Sequence, residues 1–493
     1  MKPSPLSRNT ALAIIIISYL VLGALYAALT PAWQIPDEPA HYNFARYTAQ
    51  YFTLPELTMG CYDQDYLSQL TGQKFPAHLS IEPVCYENYQ PPLYYLLAAP
   101  IFRVSNGNLL TLRLLSVAFG AISLLFIYKT IALFLPNTVF PLATTAFAAF
   151  TPMHLSMLAA VNNDALAEML LALFVFLLLR WLLRDAEKGL PLPIIAGFAL
   201  GLILLTKVTA YTALPLSAFI LFLEWRANYE LRTTNYELRT TYRKLTNILR
   251  LYLPALVISL PFYIRNALVY GGLDILGLRR HDEVVVGQLR TASKLAADGA
   301  PAYLSDLFRS TFHSFWGQFG WMAAPMDSRV YLALSLLTLL ALVGLILWLW
   351  RGESPSRKQK QALWVMAAML LLVSGVFAGL NFSFVQFQGR YFFSGLMPLG
   401  LFFSIGLNEA FRRRYALWMA GLMLLSMMWI AAVSFKQGGL DKWGVLLSAL
   451  ATGALFARSW LPGQASTWYL MSVYLLLAGL SAVSVWWFIV PNL

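Results

Sequence analysis

The stretch ALAIIIISYLVLGALYAAL, residues 11–29, running directly into TPAWQIPDEPAH, residues 30–41, decides the class of fold. An unbroken apolar run of this length crosses the roughly 30 Å hydrocarbon core of a bilayer as a helix. It follows Lys2 and Arg8, and Thr30-Pro31-Ala32-Trp33 is not a small-residue cleavage site. The run therefore reads as a retained signal anchor with a cytoplasmic N-terminus. Where the chain would emerge into water, Pro36-Asp37-Glu38-Pro39-Ala40-His41 presents two adjacent carboxylates and an imidazole fenced by prolines. Taken alone this is equally a solvated turn, because proline fixes φ and acidic residues favour turns.

Composition points the same way. The 493 residues are 59% hydrophobic and only 12% charged, against roughly 25% charged for a soluble chain, so a water-soluble fold is excluded. Apolar segments at 11–29, 112–133, 141–161, 165–183, 191–205, 208–223, 249–264, 330–350, 362–380, 391–410, 415–433, 445–457 and 469–490 give thirteen expected spans in an all-α polytopic fold. An odd count starting inside puts the C-terminus outside. Under this threading the cytoplasmic segments hold 20 of the 35 Lys and Arg but 7 of the 23 acids. Short basic loops of this kind set orientation, so the net charge of +12 needs no nucleic acid partner. The expected organisation is one membrane domain over 1–493 in a plasma (inner) membrane, with long outer loops at 30–111 and 265–329 and no soluble C-terminal domain.

Loops of such length usually have work of their own. The first carries Tyr42, Phe44, Tyr47, Tyr51 and Phe52, then Tyr94, Tyr95, Leu96, Leu97, Ile101 and Phe102, which read as two amphipathic helices lying at the interface. Its Cys61 and Cys85 are the chain's two cysteines. Outside the cytoplasm they are expected to form a disulfide, contributing on the order of 3 kcal/mol by loop closure, with two free thiols as the alternative. A tandem repeat, NYELRTT at 228–234 and again at 235–241, reads as a duplicated basic cytoplasmic loop without chemistry.

Five ionisable residues fall on or just below the outer face: Asp37 and Glu38 after the first span, Asp164 after Asn162-Asn163, Lys207 within Leu204-Leu205-Thr206-Lys207-Val208, and Arg390. Charge at bilayer depth usually faces a cavity, although Lys207 can also snorkel to the interface. A carboxylate beside a reacting hydroxyl serves as general base, and Lys and Arg hold phosphate. Together they suggest group transfer from a lipid-linked phosphate. For Asp164 two further readings stay open: a divalent metal shared with Asp37, or a helix N-cap.

Tyr89-Gln90-Pro91-Pro92-Leu93-Tyr94-Tyr95, Arg113-Leu114-Leu115 with Gly120, Asn162-Asn163-Asp164, Leu205-Thr206-Lys207 and Gln388-Gly389-Arg390-Tyr391 follow Pro-Asp-Glu-Pro in order. In these motifs, over about 11–411, the chain resembles the GT-C glycosyltransferases, in the protein O-mannosyltransferase and aminoarabinose transferase (glycosyltransferase family 39-like) branch. The resemblance implies a membrane enzyme that moves a hexose or pentose from a polyprenyl-phosphate donor to an acceptor on the outer face, usually with inversion. By position, Asp37 would be the catalytic carboxylate, Glu38 and Asp164 would shape or assist the site, and Lys207 and Arg390 would contact the donor phosphate. His41, Tyr94 and Tyr391 are substrate or acceptor candidates. So are Trp316 and Gln318, within the aromatic stretch Phe312–Trp321. The residues specify no cofactor, and a divalent metal at Asp37 and Asp164 stays open. The aminoarabinose transferases tend to have a basic residue where this chain has Gln90, so phosphate contact is not expected there. The rival classes are a secondary transporter or flippase of lipid-linked sugars, against which the absence of duplicated halves weighs, and a ligase transferring a whole oligosaccharide.

Overall fold

The computed structural model describes residues 5–184, 191–230, 237–352 and 354–493, so part of the tandem repeat lies outside the described residues. Apart from a two-stranded antiparallel hairpin, Gln318–Phe319 with Ala324–Pro325, the architecture is helical. Among the described residues, ten helices are long and apolar enough to span a membrane: Ser7–Leu29, Leu109–Phe134, Asp164–Leu183, Val208–Arg226, Leu245–Tyr270, Ser328–Arg351, Arg357–Ser383, Gly389–Ala410, Arg413–Lys436 and Ala465–Ile489.

Three of the thirteen expected spans depart from this. Helix Leu192–Leu204 has 13 residues, about 20 Å at 1.5 Å per residue. Helix Lys442–Trp460 has 19 residues but is not among the ten. The segment expected as one span at 141–161 is broken into Phe140–Ala149 and Pro152–Leu158. The break is local chemistry: Pro152 brings no N–H to the first segment, and Thr151 before it is extended, with φ −79° and ψ 114°.

After helix Pro152–Leu158 the chain is irregular and buried over residues 159–163. Irregular backbone inside a bundle requires protein partners for its polar groups. Asn162 N donates to the Tyr94 hydroxyl (3.2 Å) and Asn163 Nδ2 to Thr206 O (3.1 Å). Val161 N donates to Glu38 Oε1 (3.1 Å). Glu38 is fully buried, and its carboxylate also accepts from Arg113 Nε (2.7 Å) and Nη2 (2.6 Å) and from Trp33 N (3.2 Å). The remaining guanidinium donors reach Ala27 O, Thr30 O and Pro31 O at 2.7–3.1 Å. Four pieces of chain thus meet on one ion pair: the end of the first span, the start of helix Glu38–Tyr51, the start of helix Leu109–Phe134 and the turn before Asp164.

Close backbone approach joins other helices. A side chain at Gly344 would stand 2.0 Å from Gly406 O, and one at Gly406 2.0 Å from Ala341 O, so only glycine lets these two spans touch. In the first long loop, helices Glu38–Tyr51 and Leu93–Val104 stack Phe44 on Tyr95 with ring centroids 3.6 Å apart. They leave Tyr51, Phe52, Leu96, Leu97 and Val104 exposed, as interfacial helices do. The Cys61–Cys85 disulfide is formed.

Removing one partner of a buried ion pair leaves an uncompensated charge, at a cost of roughly 3–5 kcal/mol. Arg113→Met is expected to lower the unfolding temperature in detergent by many degrees. Adding Glu38→Gln to Arg113→Met should recover part of that loss, and thermal unfolding of the single and double variants checks this.

Candidate active site

One cavity of about 600 Å³ opens beside the first long loop and collects side chains from both long loops and from several helices. Asp37, Tyr86, Glu87, Gln90, Asp164, Lys207, Arg390 and Tyr391 line its polar part. Val373, Val376, Leu380 and Phe384 form an apolar wall at the end of helix Arg357–Ser383.

Asp37 enters the cavity because its backbone is turned there. It sits at φ 67°, the left-handed region that L-residues rarely adopt, one residue ahead of helix Glu38–Tyr51. Such strain persists only when the surroundings impose it, and it clusters at functional sites. The adjacent Glu38, already helical, points the opposite way to Arg113. Asp37 Oδ1 accepts from the Tyr86 hydroxyl at 2.7 Å, and Oδ2 lies 2.7 Å from Arg390 Nη2. Burial alone would raise this carboxyl, but the Arg390 guanidinium and the Tyr86 hydrogen bond outweigh it and hold the group down at about 2.

Arg390 is delivered by a 3₁₀ segment, Gly389–Gly395. Gly389 N donates to Ser314 Oγ at 2.8 Å, and a side chain at Gly389 would stand 2.3 Å from Phe315 N. The glycine in Gln388-Gly389-Arg390-Tyr391 therefore presses the segment against helix Ala300–Trp316 and aims the arginine. Lys207 lies on extended backbone between Leu192–Leu204 and the 3₁₀ turn Val208–Thr212. Its Nζ is 2.6 Å from Asp164 Oδ1. Asp164 is thus a helix residue paired with Lys207, and Asn163 occupies the cap position.

Of the residues singled out in the sequence, Asp37, Asp164, Lys207, Arg390 and Tyr391 share the cavity. Glu38 does not, since both its oxygens are used by Arg113 and two backbone amides. His41 is buried with Nδ1 2.7 Å from the Tyr95 hydroxyl, and burial, then the nearby Lys207 charge, push its ring down to about 3, so it is neutral. Tyr94 is buried between Ser116 and Asn162. Trp316 is buried among Phe147, Phe315 and Phe403. Gln318 donates to Met322 O inside its own hairpin. These last four do not line the cavity. From the aromatic stretch it is Trp321 that does, with its indole N–H donating to Trp33 O at 3.0 Å. Asp37 and Asp164 each face a cation, and among the described residues no group of three or more His, Cys, Asp or Glu is placed to hold a metal.

Two participants were not singled out in the sequence. Tyr86 orients Asp37, and Glu87 beside it lines the cavity with its Oε2 buried and unpartnered. Burial and then the Asp37 charge raise the Glu87 carboxyl to about 7. The run Tyr86-Glu87-Asn88-Tyr89-Gln90 after Cys85 was the available signal, because the disulfide ties it to the loop that carries Asp37.

A carboxyl raised on folding binds more protons in the native than in the unfolded chain. The associated stability is present below the ordinary glutamate value near 4.5 and is lost as pH rises through about 7. Native protein should therefore lose on the order of 2 kcal/mol between pH 5 and pH 7.5 from this group. The decline in unfolding temperature across that window should be smaller in Glu87→Gln, and matched melts at the two pH values read it.

Residues 89–256 match the family model of dolichyl-phosphate-mannose-protein mannosyltransferase. No curated protein matches the chain. Among solved structures, ArnT from Cupriavidus metallidurans in the apo state aligns with 97% of this chain and 78% of its own, at 12% identity and a TM-score of 0.51. The same protein bound to undecaprenyl phosphate aligns with 98% and 78% at 12% identity and a TM-score of 0.48. The Archaeoglobus fulgidus oligosaccharyltransferase in the apo form gives 95% and 56% at 13% identity and a TM-score of 0.41. The chain is a polytopic membrane protein with the GT-C fold, similar to the protein mannosyltransferases over residues 89–256 and to ArnT in architecture.

Proposed function

We propose that the protein is a membrane glycosyltransferase that moves a sugar from a polyprenyl-phosphate donor to an acceptor hydroxyl on the outer face, with Asp37 as the base. The observation that carries this is the convergence, in one cavity, of a strained carboxylate with Lys207 and Arg390 beside an apolar wall. The family whose model matches residues 89–256 is named for a lipid-phosphate sugar, which fits that combination. The basic residues support the outer placement: Arg8, Arg180, Arg351 and Arg413 lie at the helix ends remote from the cavity.

The donor phosphate competes with Asp37 for Arg390 and with Asp164 for Lys207. When phosphate takes Arg390, Asp37 loses the charge that holds it low, and its basicity rises toward the ordinary carboxylate range while it stays ionised at neutral pH. The acceptor oxygen attacks the anomeric carbon as its proton passes to Asp37. The bond to the phosphate oxygen breaks, and the electron pair leaves with polyprenyl phosphate. Lys207 and Arg390 stabilise that leaving group electrostatically, so it needs no protonation. With Asp37 acting as base and not as nucleophile, the reaction is a single displacement and inverts the anomeric centre.

Asp37→Asn removes the base and the competitor for Arg390 together. Turnover of a polyprenyl-phosphate sugar should fall by roughly 10²–10⁴-fold, while undecaprenyl phosphate binds at least as tightly as to native protein. Undiminished turnover would remove Asp37 from this role. Gly389→Ala should weaken undecaprenyl phosphate binding through misplacement of Arg390, and the same titration measures it.

A further inference from the structure

The Glu87 carboxyl is only partly employed: the Gln90 side chain hydrogen-bonds to it, and Oε2 is left without a partner. The backbone around it is already fixed: Gln90 N donates to Glu87 O at 2.9 Å, Asn88 N to Cys85 O at 3.1 Å, and Cys85 is bonded to Cys61. Its neighbours are employed, Tyr86 on Asp37 and Tyr89 against the His281 ring with centroids 4.8 Å apart. Two buried atoms of this run lack a hydrogen-bond partner, Asn88 Oδ1 and Glu87 Oε2, and of these residues Glu87 lines the cavity. Buried polar atoms are almost always satisfied, and an orphan beside a cavity points to a partner that arrives from outside.

The neighbours of Glu87 limit what that partner is. Ionised, the carboxyl accepts hydrogen bonds and repels phosphate, and protonated it also donates one, so a sugar hydroxyl can pair with either form. Glu87 lines the same cavity as Lys207 and Arg390, and Asp37 and both cations act electrostatically on it. A phosphate held by Lys207 and Arg390 carries its sugar one bond away, within about one ring width of them.

We propose that Glu87 holds the sugar of the donor, its free carboxylate oxygen accepting a hydrogen bond from a ring hydroxyl. This assignment rests on the function proposed above. Glu87 is then the specificity residue of the site, because a donor lacking that hydroxyl leaves a buried carboxylate unpaired, and sites built on such hydrogen bonds discriminate strongly. It selects the sugar, and Asp37 performs the chemistry.

The test uses full-length protein in nanodiscs, titrated with undecaprenyl phosphate and with a panel of undecaprenyl-phosphate hexoses and pentoses. Native protein is expected to bind one panel member at least tenfold more tightly than undecaprenyl phosphate. Glu87→Ala should abolish that preference while binding undecaprenyl phosphate within about threefold of native, which also shows that the variant is folded. Glu87→Gln, still able to accept a hydrogen bond, should retain part of the preference. A preference that survives in Glu87→Ala overturns the assignment, as does native protein that distinguishes no sugar-bearing lipid from undecaprenyl phosphate. Equal loss of both affinities in the variant makes Glu87 architectural and overturns it too. Native protein that binds none of these lipids overturns the glycosyltransferase reading itself.

Discussion

At one end of the bundle the Glu38 carboxylate and the Arg113 guanidinium face each other at 2.6 Å with almost no exposure of either side chain. Two charges removed from water are tolerable only when every remaining donor and acceptor is used, and here they are: three backbone carbonyls accept from the arginine and two backbone amides donate to the glutamate. The pair fixes the exit of the first span, the turn that forces Asp37 into left-handed backbone, and the turn that presents Asp164. Asp37 and Asp164 are therefore positioned by a carboxylate that never meets the cavity.

The cavity rests as two closed ion pairs, Asp37 with Arg390 and Asp164 with Lys207. Cations already neutralised in this way do not attract anions indiscriminately. An anion that brings additional binding energy can open them, and an apolar wall beside the cations offers such energy to a lipid carrier. Under the proposed function, opening a pair would change the basicity of the released carboxylate, so that arrival of the donor and readiness of the base would be the same event.

Much of this was legible in the sequence because a membrane constrains it. The threading of spans and basic loops grouped Asp37, Glu38, Asp164, Lys207 and Arg390, and all of these but Glu38 share the cavity. What sequence could not separate were neighbours with the same chemistry. Asp37 and Glu38 are adjacent carboxylates, and only the positive φ at Asp37 sends them in opposite directions. Arg113 read as a charge at the mouth of a span, because its partner lies 75 residues earlier. In the stretch Phe312–Trp321, Phe312, Phe315 and Trp316 pack among other aromatic rings, and Trp321, past the hairpin's first strand, reaches the cavity. The span expected over 141–161 failed at Pro152, where hydropathy outvoted a known breaker.

The most direct test of this account is an experimental structure of the protein with undecaprenyl phosphate bound. The account predicts phosphate oxygens within hydrogen-bonding distance of Arg390 and Lys207, with the Asp37–Arg390 contact opened and the lipid chain against Val373, Val376 and Leu380. Phosphate bound elsewhere, with both ion pairs intact, would contradict it.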